Sequence, residues 1–163
     1  IDLPYDTKAW MKGRVVNKKA RYNLCFSGEG HPPDYENKRG TVISYSQVPV
    51  LNRLRQKIMS LLDTNGDLDL KVESNYYYDT KQCYIGWHGD TERRVVIGCR
   101  LGAEYPLSFR WYHRSTPASN TLTVRLQHGD IYIMSDKTTG YDWKKSSMMT
   151  LRHSAGDIPL NKK

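Results

Sequence analysis

Cysteine, phenylalanine and long apolar runs are all scarce in this chain. No apolar stretch approaches the roughly 18 residues that cross a membrane, and the first residues lack a signal peptide, so we expect no membrane partner. The three cysteines, Cys25, Cys83 and Cys99, are odd in number and widely spaced, which indicates neither a disulfide framework nor a Cys-x-x-Cys zinc site. We therefore expect an intracellular compartment, the cytoplasm or nucleus, or a host cell that expresses a viral protein.

Acidic residues are also in deficit. The chain has 25 Lys and Arg against 17 Asp and Glu, a net charge of +8 and a pI near 9.4, which favours a polyanionic partner such as DNA or RNA. Trp10, Tyr22 and Tyr35 are interleaved with the basic residues and offer rings on which bases can stack. A merely solvated basic surface is the alternative. The basic clusters are Lys8, Lys12, Arg14, Lys18, Lys19 and Arg21, then Arg53, Arg55 and Lys57, then Arg93, Arg94 and Arg100.

What the chain does contain is many short strand-forming segments. Tyrosine occurs 12 times against 2 phenylalanines, and short Val, Ile, Tyr and Thr runs are broken by Gly, Asn, Asp and Pro. We expect a mainly β fold with a few helices, a double-stranded β-helix or jelly roll. A length of 163 residues fits a single domain over residues 1–163 and a monomer. Residues 1–40 are predicted to be an irregular segment that serves as a substrate-side extension and loop, and residues 41–163 are predicted to form a helix and the jelly-roll core.

Individual elements follow from the pattern. Pro49 precedes apolar residues at helical spacing, which predicts one amphipathic helix. The acidic segment 63–69 fails the EF-hand pattern and is interpreted as a solvated Asn-Gly turn. Residues 27–40 form a long loop, typical of a functional lid or of disorder. Strands are predicted at residues 21–26, 41–45, 75–78, 83–88, 94–101, 107–112, 122–126, 131–134 and 148–153.

The tripeptide His-Gly-Asp occurs twice, at 88–90 and at 128–130. In an extended strand, residues two apart point to the same side, so His-x-Asp can present a nitrogen and an oxygen to one metal ion, with the glycine as a spacer. A second histidine would complete a two-histidine, one-carboxylate triad that leaves three iron positions open. The two copies therefore compete for the metal.

Chain length favours the first copy. Only 25 residues separate His128 from His153, so the two strands that carry them would be nearly consecutive in the chain. In contrast, 65 residues separate His88 from His153, which is enough for four or five strands before the chain returns beside His88. Gly129-Asp130 directly precedes an apolar strand and is interpreted as its launching turn. We predict that His88, Asp90 and His153 bind the metal and carry catalysis. His31, in a Pro-rich loop, and His113, at a strand end, are interpreted as surface residues.

Ordered motifs extend this prediction over residues 20–155. They are Asn75-x-Tyr77, Ile85-Gly86-Trp87-His88-Gly89-Asp90, Arg100-Leu101-Gly102, Phe109-Arg110, Gly129-Asp130-Ile131-Tyr132-Ile133-Met134 and Asp142-Trp143. In this order and spacing they resemble the AlkB-like branch of iron(II) and 2-oxoglutarate dependent dioxygenases.

The resemblance implies an oxidoreductase that uses Fe(II), 2-oxoglutarate and dioxygen. In this branch the oxidised carbon is typically a methyl group on a damaged or modified nucleic-acid base, as in DNA repair. Such a base must be flipped out of a duplex to be reached. By resemblance, Asn75 and Tyr77 contact 2-oxoglutarate. Two other outcomes stay open: an oxygenase acting on a protein side chain or a normal pyrimidine methyl group, and a nucleic-acid-binding jelly roll that has lost catalysis.

The chain departs from the family pattern at its far end. Thr150-Leu151-Arg152 can also be aligned with the family's closing segment, which would leave the third ligand missing. We reject this alignment because residues 144–149 are too few for the turn and strand that should come before that segment. The family binds the distal carboxylate of 2-oxoglutarate through an arginine after the last histidine, and none follows His153 here. Since a buried carboxylate needs a charge-assisted partner, this role falls to Arg100, Arg110 or Arg152, or to a residue beyond Lys163 if the chain is truncated.

Overall fold

The computed structural model describes residues 2–62, 67–145 and 147–158. The chain forms two compact units, Ile1–Tyr78 and Asp79–Lys163. One domain can contain two such units, so the single domain over residues 1–163 stays a prediction. Two α-helices and twelve strands lie in the described ranges, which confirms the mainly β fold class. Neither of these helices is long and apolar enough to span a membrane.

The first unit combines a hairpin, a small sheet and one helix. The hairpin pairs β1 (Lys8–Met11) with β2 (Arg14–Asn17). Its turn residues Lys12 and Gly13 have φ of 51° and 80°, the conformation that two-residue hairpin turns favour. The sheet has β3 (Tyr22–Ser27) at its centre, with β4 (Val42–Ser44) parallel to it and β5 (Val72–Tyr76) antiparallel. A short 3-10 turn, Tyr45–Gln47, leads into α1 (Pro49–Leu62).

A small apolar core holds this unit together. Leu24, Phe26 and Ile43 are buried, and Leu51 of α1 packs against them. The predicted strands at 21–26 and 41–45 and the helix after Pro49 are confirmed. The irregular character predicted for residues 1–40 is wrong for β1 and β2, because exposed basic residues hide their alternation. Residues 63–66 of the predicted Asn-Gly turn lie outside the described residues.

Buried Asp6 fixes the long loop of this unit. Its carboxylate accepts hydrogen bonds from the Thr41 backbone N–H at 2.8 Å, the Thr41 hydroxyl at 2.7 Å and the Tyr35 hydroxyl at 2.8 Å. Burial and this hydrogen bond raise the pKa of Tyr35 to about 12. The loop therefore has a buried, hydrogen-bonded anchor, and backbone bridges join His31 to Val42 and Asp34 to Arg39.

The second unit holds the remaining strands. They are β6 (Ile85–His88), β7 (Val96–Cys99), β8 (Tyr105–His113), β9 (Thr116–Pro117), β10 (Leu122–Leu126), β11 (Ile131–Met134) and β12 (Thr150–Ala155), with α2 (Asp136–Thr139) before β12. One antiparallel sheet has the order β10-β8-β12-β6, with β9 on β8, and β11 pairs with β7. The chain thus leaves β6, forms five further strands and returns as β12 beside β6, a topology consistent with a jelly roll.

An apolar cavity of about 380 Å³ opens inside this unit. Its lining includes Leu107 and Phe109 of β8, Val124 of β10 and Met134 of β11. All six strands predicted after residue 80 are present, and none of their ends is shifted by more than two residues. The predicted strand at 75–78 is shifted, since β5 ends at Tyr76.

We expect Asp6→Asn to lower the free energy of unfolding by about 1–3 kcal/mol, because an amide supplies a donor where three donors already point. Urea denaturation followed by tryptophan fluorescence measures this change. Asp2→Asn, at an exposed position, is the matched control. Equal stability of the two variants would show that the Asp6 carboxylate does not anchor the loop.

Candidate metal centre

The fold brings His88, Asp90 and His153 together. His88 ends β6, Asp90 follows two residues later, and His153 lies in β12 directly opposite His88 in the strand register. The three possible ligand atoms lie within 4.8 Å of one another, and the two imidazole ring centroids are 4.3 Å apart. These are the three residues that the sequence singles out as metal ligands.

The distances suit one shared ion. The His88 Nε2 atom lies 3.8 Å from Asp90 Oδ1, and the His153 Nε2 atom lies 3.9 Å from Asp90 Oδ2. Imidazole and carboxylate ligands lie about 2.0–2.2 Å from a zinc-sized ion, so donors about 3–4 Å apart can bind the same ion. The donor set also fits Fe(II), for which two histidines and one carboxylate leave open positions.

Hydrogen bonds orient two of the ligands. The His88 Nδ1 atom lies 2.8 Å from the Gly86 carbonyl, which can only accept, so Nδ1 carries the proton and Nε2 is free for a metal. The Asp90 backbone N–H donates to the Thr139 carbonyl at 2.9 Å. Thr139 is fully buried, and its hydroxyl donates to the Arg93 carbonyl at 3.0 Å. Helix α2 therefore holds the segment that carries Asp90.

Gly89 is more than the strand spacer that the sequence suggests. A Cβ atom at this position would lie 2.1 Å from the Gly140 carbonyl oxygen and 2.6 Å from Trp143 Cδ1. Both contacts are far closer than van der Waals separation. The interpretation of Gly89 as a mere spacer is wrong, because tertiary packing against Trp143 requires glycine there.

Burial makes His153 a neutral ligand. Its side chain is 8% exposed, and burial together with the neighbouring His88 lowers its pKa from 6.5 to about 4. The Asp90 carboxylate and the Thr138 backbone act in the opposite direction but do not outweigh burial. At neutral pH the imidazole is therefore unprotonated, the form that binds a metal ion.

The second His-Gly-Asp copy forms a turn. The Gln127 N–H donates to Asp130 Oδ2 at 2.7 Å, and Gly129 has φ of 92°. His128 Nδ1 accepts a hydrogen bond from the Gly102 N–H at 3.0 Å. This copy starts β11, and the prediction of a launching turn is confirmed.

The predicted co-substrate residues are divided between the two units. Asn75 and Tyr77 belong to the first unit, where Asn75 is exposed at the end of β5 and accepts a hydrogen bond from Arg21. The triad belongs to the second unit. The contact of Asn75 and Tyr77 with 2-oxoglutarate therefore stays a prediction.

The candidate arginines have different surroundings. Arg100 follows β7, and its guanidinium donates to the Ala103 carbonyl at 2.7 and 2.9 Å. Arg110 and Arg152 are cross-strand neighbours on β8 and β12, beside aromatic rings. Because side chains alternate along a strand, Arg152 lies on the sheet face opposite to His153. Its contacts give no support to a role in binding 2-oxoglutarate.

Tyr132 is a site candidate that sequence reasoning missed. It lies on β11, lines the apolar cavity and packs over Gly98, where a Cβ atom would lie 2.1 Å from the Tyr132 ring. Burial is the main cause that raises the pKa of Tyr132; Arg100 acts to lower the pKa and Asp90 acts to raise it. The Tyr132 hydroxyl therefore keeps its proton and can donate a hydrogen bond. The place of Tyr132 in the Gly129–Met134 motif was the available sequence signal, but its pairing with Gly98 is set by strand register.

The low pKa of His153 predicts a pH-dependent stability of the metal-free protein. Because an unfolded histidine has a pKa near 6.5 and folded His153 about 4, the unfolded chain takes up the proton first, and stability falls as pH drops from 6.5 to 4. We expect His153→Gln to lose this part of the dependence in urea denaturation at pH 7, 5.5 and 4.5. His113→Gln, at an exposed histidine, should keep it. Identical pH profiles for wild type and His153→Gln would contradict the burial effect.

Comparison with known proteins agrees with this geometry. The model of the 2OG-Fe(II) oxygenase superfamily matches residues 3–145, which include His88 and Asp90 but end before His153. An uncharacterized protein of Acanthamoeba polyphaga mimivirus is 47% identical over 155 residues, 95% of this chain and 60% of that protein. This chain thus spans less than two thirds of its relative's length. By the extent of the family match, this chain belongs to the 2OG-Fe(II) oxygenase superfamily.

Proposed function

We propose that this oxygenase hydroxylates a methyl group on a modified nucleic-acid base, so that the methyl group leaves as formaldehyde and the base is repaired. The observation that carries the proposal is the basic, aromatic surface of the first unit. Residues 8–21 contain six basic residues and no acidic residue. Phosphate groups are the natural partners of such a segment.

The hairpin presents part of this charge to solvent. Lys8, Lys12 and Arg14 are exposed, and Lys12 forms the turn between β1 and β2. Trp10 lies half-buried between them on β1. Cations beside an aromatic ring suit a single nucleic-acid strand, whose phosphates meet the charges and whose bases stack on rings.

A tyrosine cluster adds stacking surface in the same unit. The Tyr22 and Tyr78 rings are stacked with centroids 4.3 Å apart, and the Tyr5 and Tyr76 centroids are 5.3 Å apart. Tyr76 is 49% exposed and Tyr78 is 38% exposed. Large exposed aromatics on a protein surface favour binding of planar ligands, here unpaired bases.

The triad supplies the chemistry. His88, Asp90 and His153 would hold the ion, and a set of two histidines and one carboxylate leaves open positions for a co-substrate and dioxygen. When bound, Fe(II) and 2-oxoglutarate would together supply the dioxygen activation that hydroxylation of a methyl group requires. Asn75, Tyr77 and Arg100 remain our proposed contacts for 2-oxoglutarate. Arg100 is the one of these three residues that belongs to the same unit as the triad.

The alternatives have less support. A protein side chain would use the same triad but would leave the basic hairpin without a role. An oxygenase that acts on a normal pyrimidine methyl group would use both the triad and the basic hairpin. Only tests with different substrates distinguish this activity from demethylation of a modified base. Loss of catalysis fits poorly with an assembled triad. Within the residues that the structure describes, Cys25, Cys83 and Cys99 form no disulfide, which suits a reaction inside a cell, including a host cell infected by a virus.

We expect His88→Ala and Asp90→Ala each to lower iron-dependent 2-oxoglutarate turnover by more than about 100-fold, since loss of a ligand costs more than loss of a residue that only orients one. Succinate release measures turnover. His128→Ala in the second His-Gly-Asp copy is the matched control and should keep turnover near wild type. Unchanged turnover in His88→Ala would eliminate this metal site.

We expect the double change Lys12→Glu and Arg14→Glu to weaken binding of a fluorescein-labelled single-stranded oligonucleotide by about 10-fold, and to reduce the dependence on salt, because fewer counterions are released. Fluorescence anisotropy measures both effects. The matched control is the double change Arg53→Glu and Lys57→Glu on α1, which replaces one arginine and one lysine outside the hairpin and so makes the same change in total charge.

Equal loss in the hairpin and α1 variants would show that total charge alone governs binding. Substrate class is tested separately, by formaldehyde release with methylated and unmethylated oligonucleotides. Release from neither would remove the demethylation proposal even if binding is retained.

A further inference from the structure

Five side chains of the second unit form a row in which aromatic rings alternate with guanidinium groups. We call this row the cation-π ladder. Its members, in spatial order, are Trp87, Arg110, Tyr112, Arg152 and Trp143. They come from β6, β8 and β12 and from the turn that follows α2.

Each guanidinium of the ladder lies between two rings. The Arg110 Cζ atom is 4.4 Å from the Trp87 ring centroid and 5.4 Å from that of Tyr112. The Arg152 Cζ atom is 4.2 Å from the Tyr112 centroid and 5.2 Å from that of Trp143. All four distances are inside the roughly 6 Å range of cation-π attraction.

The ladder lies on the opposite sheet face from the metal ligands. In the strand register Arg152 pairs with Arg110, and His153 pairs with both Phe109 and His88. Since neighbouring side chains on a strand point to opposite faces, Arg152 points away from the His153 side. Trp87 is related to His88 in the same way. The row therefore crosses the three strands β6, β12 and β8 behind the candidate metal centre.

The two cations of the ladder have few polar contacts. Arg110 donates to the Tyr112 hydroxyl at 3.0 Å and Arg152 donates to the Ser115 hydroxyl at 3.2 Å. Within the described ranges, neither arginine forms an ion pair with a carboxylate, and both Nε atoms are buried without a hydrogen bond. Partly desolvated guanidinium groups in this situation depend on the faces of the rings.

Each metal ligand is next in the chain either to a ladder residue or to a glycine that contacts one. Trp87 precedes His88, and Arg152 precedes His153. The Trp143 ring packs against Gly89, which lies between His88 and Asp90. If a ladder side chain were lost, the backbone beside it could rotate to fill the gap. That rotation would also reorient the neighbouring metal ligand. Metal centres tolerate displacements of only about 0.5 Å before affinity falls.

We infer that the cation-π ladder positions His88, Asp90 and His153 for metal binding from the far side of the sheet. Its members are positioning residues that act through the backbone and do not touch the metal or substrate. The inference rests on the triad as a metal site, but it is independent of the nucleic-acid substrate proposed above.

The test removes one guanidinium and measures metal affinity directly. Arg152→Met keeps much of the side-chain length and loses the charge and the planar group. Co²⁺ alone is titrated into the full chain, without 2-oxoglutarate, and followed by visible absorption. We expect affinity to fall by about 10-fold, the lower end of what loss of a ligand-orienting residue costs, with an altered Co²⁺ spectrum. Arg125→Met is the matched control, since Arg125 lies on β10 of the same sheet and pairs with Glu104 outside the ladder.

Conservative variants separate positioning from general stability. Trp87→Phe keeps a ring for Arg110 and should keep most of the affinity, whereas Trp87→Leu should lose it as Arg152→Met does. These variants also serve if Arg152→Met does not fold. Thermal unfolding of the metal-free proteins is measured in parallel. Wild-type Co²⁺ affinity and spectrum in Arg152→Met, or in Trp87→Leu, would overturn the inference even if the melting temperature falls.

Failure of the ladder and failure of the triad give different results. A wild-type chain that binds no Co²⁺ would overturn both the metal site and the ladder's role. If the wild-type chain binds Co²⁺ but its ladder variants bind it equally tightly, the metal site stands and only the positioning role of the ladder is overturned.

Discussion

The antiparallel pairing of β6 with β12 is the constraint on which the candidate metal centre depends. It sets His153 directly opposite His88, and Asp90 follows two residues after the end of β6. Because β12 also pairs with β8, His153 lies in the interior of the sheet and is buried. Burial in turn keeps its imidazole neutral and ready to bind a cation.

The same pairing divides the sheet into two faces with different tasks. One face carries the histidines, and its β8 side chains Leu107 and Phe109 line the apolar cavity. The opposite face carries Arg110 and Arg152 between aromatic rings. Strand alternation makes this division unavoidable, since a residue next to a ligand must point the other way. Packing on one face is thus coupled through the backbone to ligand geometry on the other.

In the first unit the sequence revealed the basic charge but not the strands that carry it. The basic character of residues 8–21 is evident from composition, but the β1-β2 hairpin that displays it was not predicted, because exposed basic residues hide the alternation of its strands. The roles of glycine were likewise hidden. Gly89 makes room for Trp143 and Gly98 for Tyr132, and both partners are remote in the chain. The periodicity of a sequence predicts which face of a strand a residue lies on, but it does not predict which distant side chain packs against that residue.

The sequence by itself determined the His88-x-Asp90 pair, most strands, the helix after Pro49 and the turn at Gly129, since all of these follow from short-range spacing and turn chemistry. It also proposed His153 by counting the residues needed for intervening strands. Only the tertiary structure brought His153 beside His88, lowered its pKa and sent Arg152 to the opposite face. Those outcomes depend on the register between strands far apart in the chain, which no local pattern encodes.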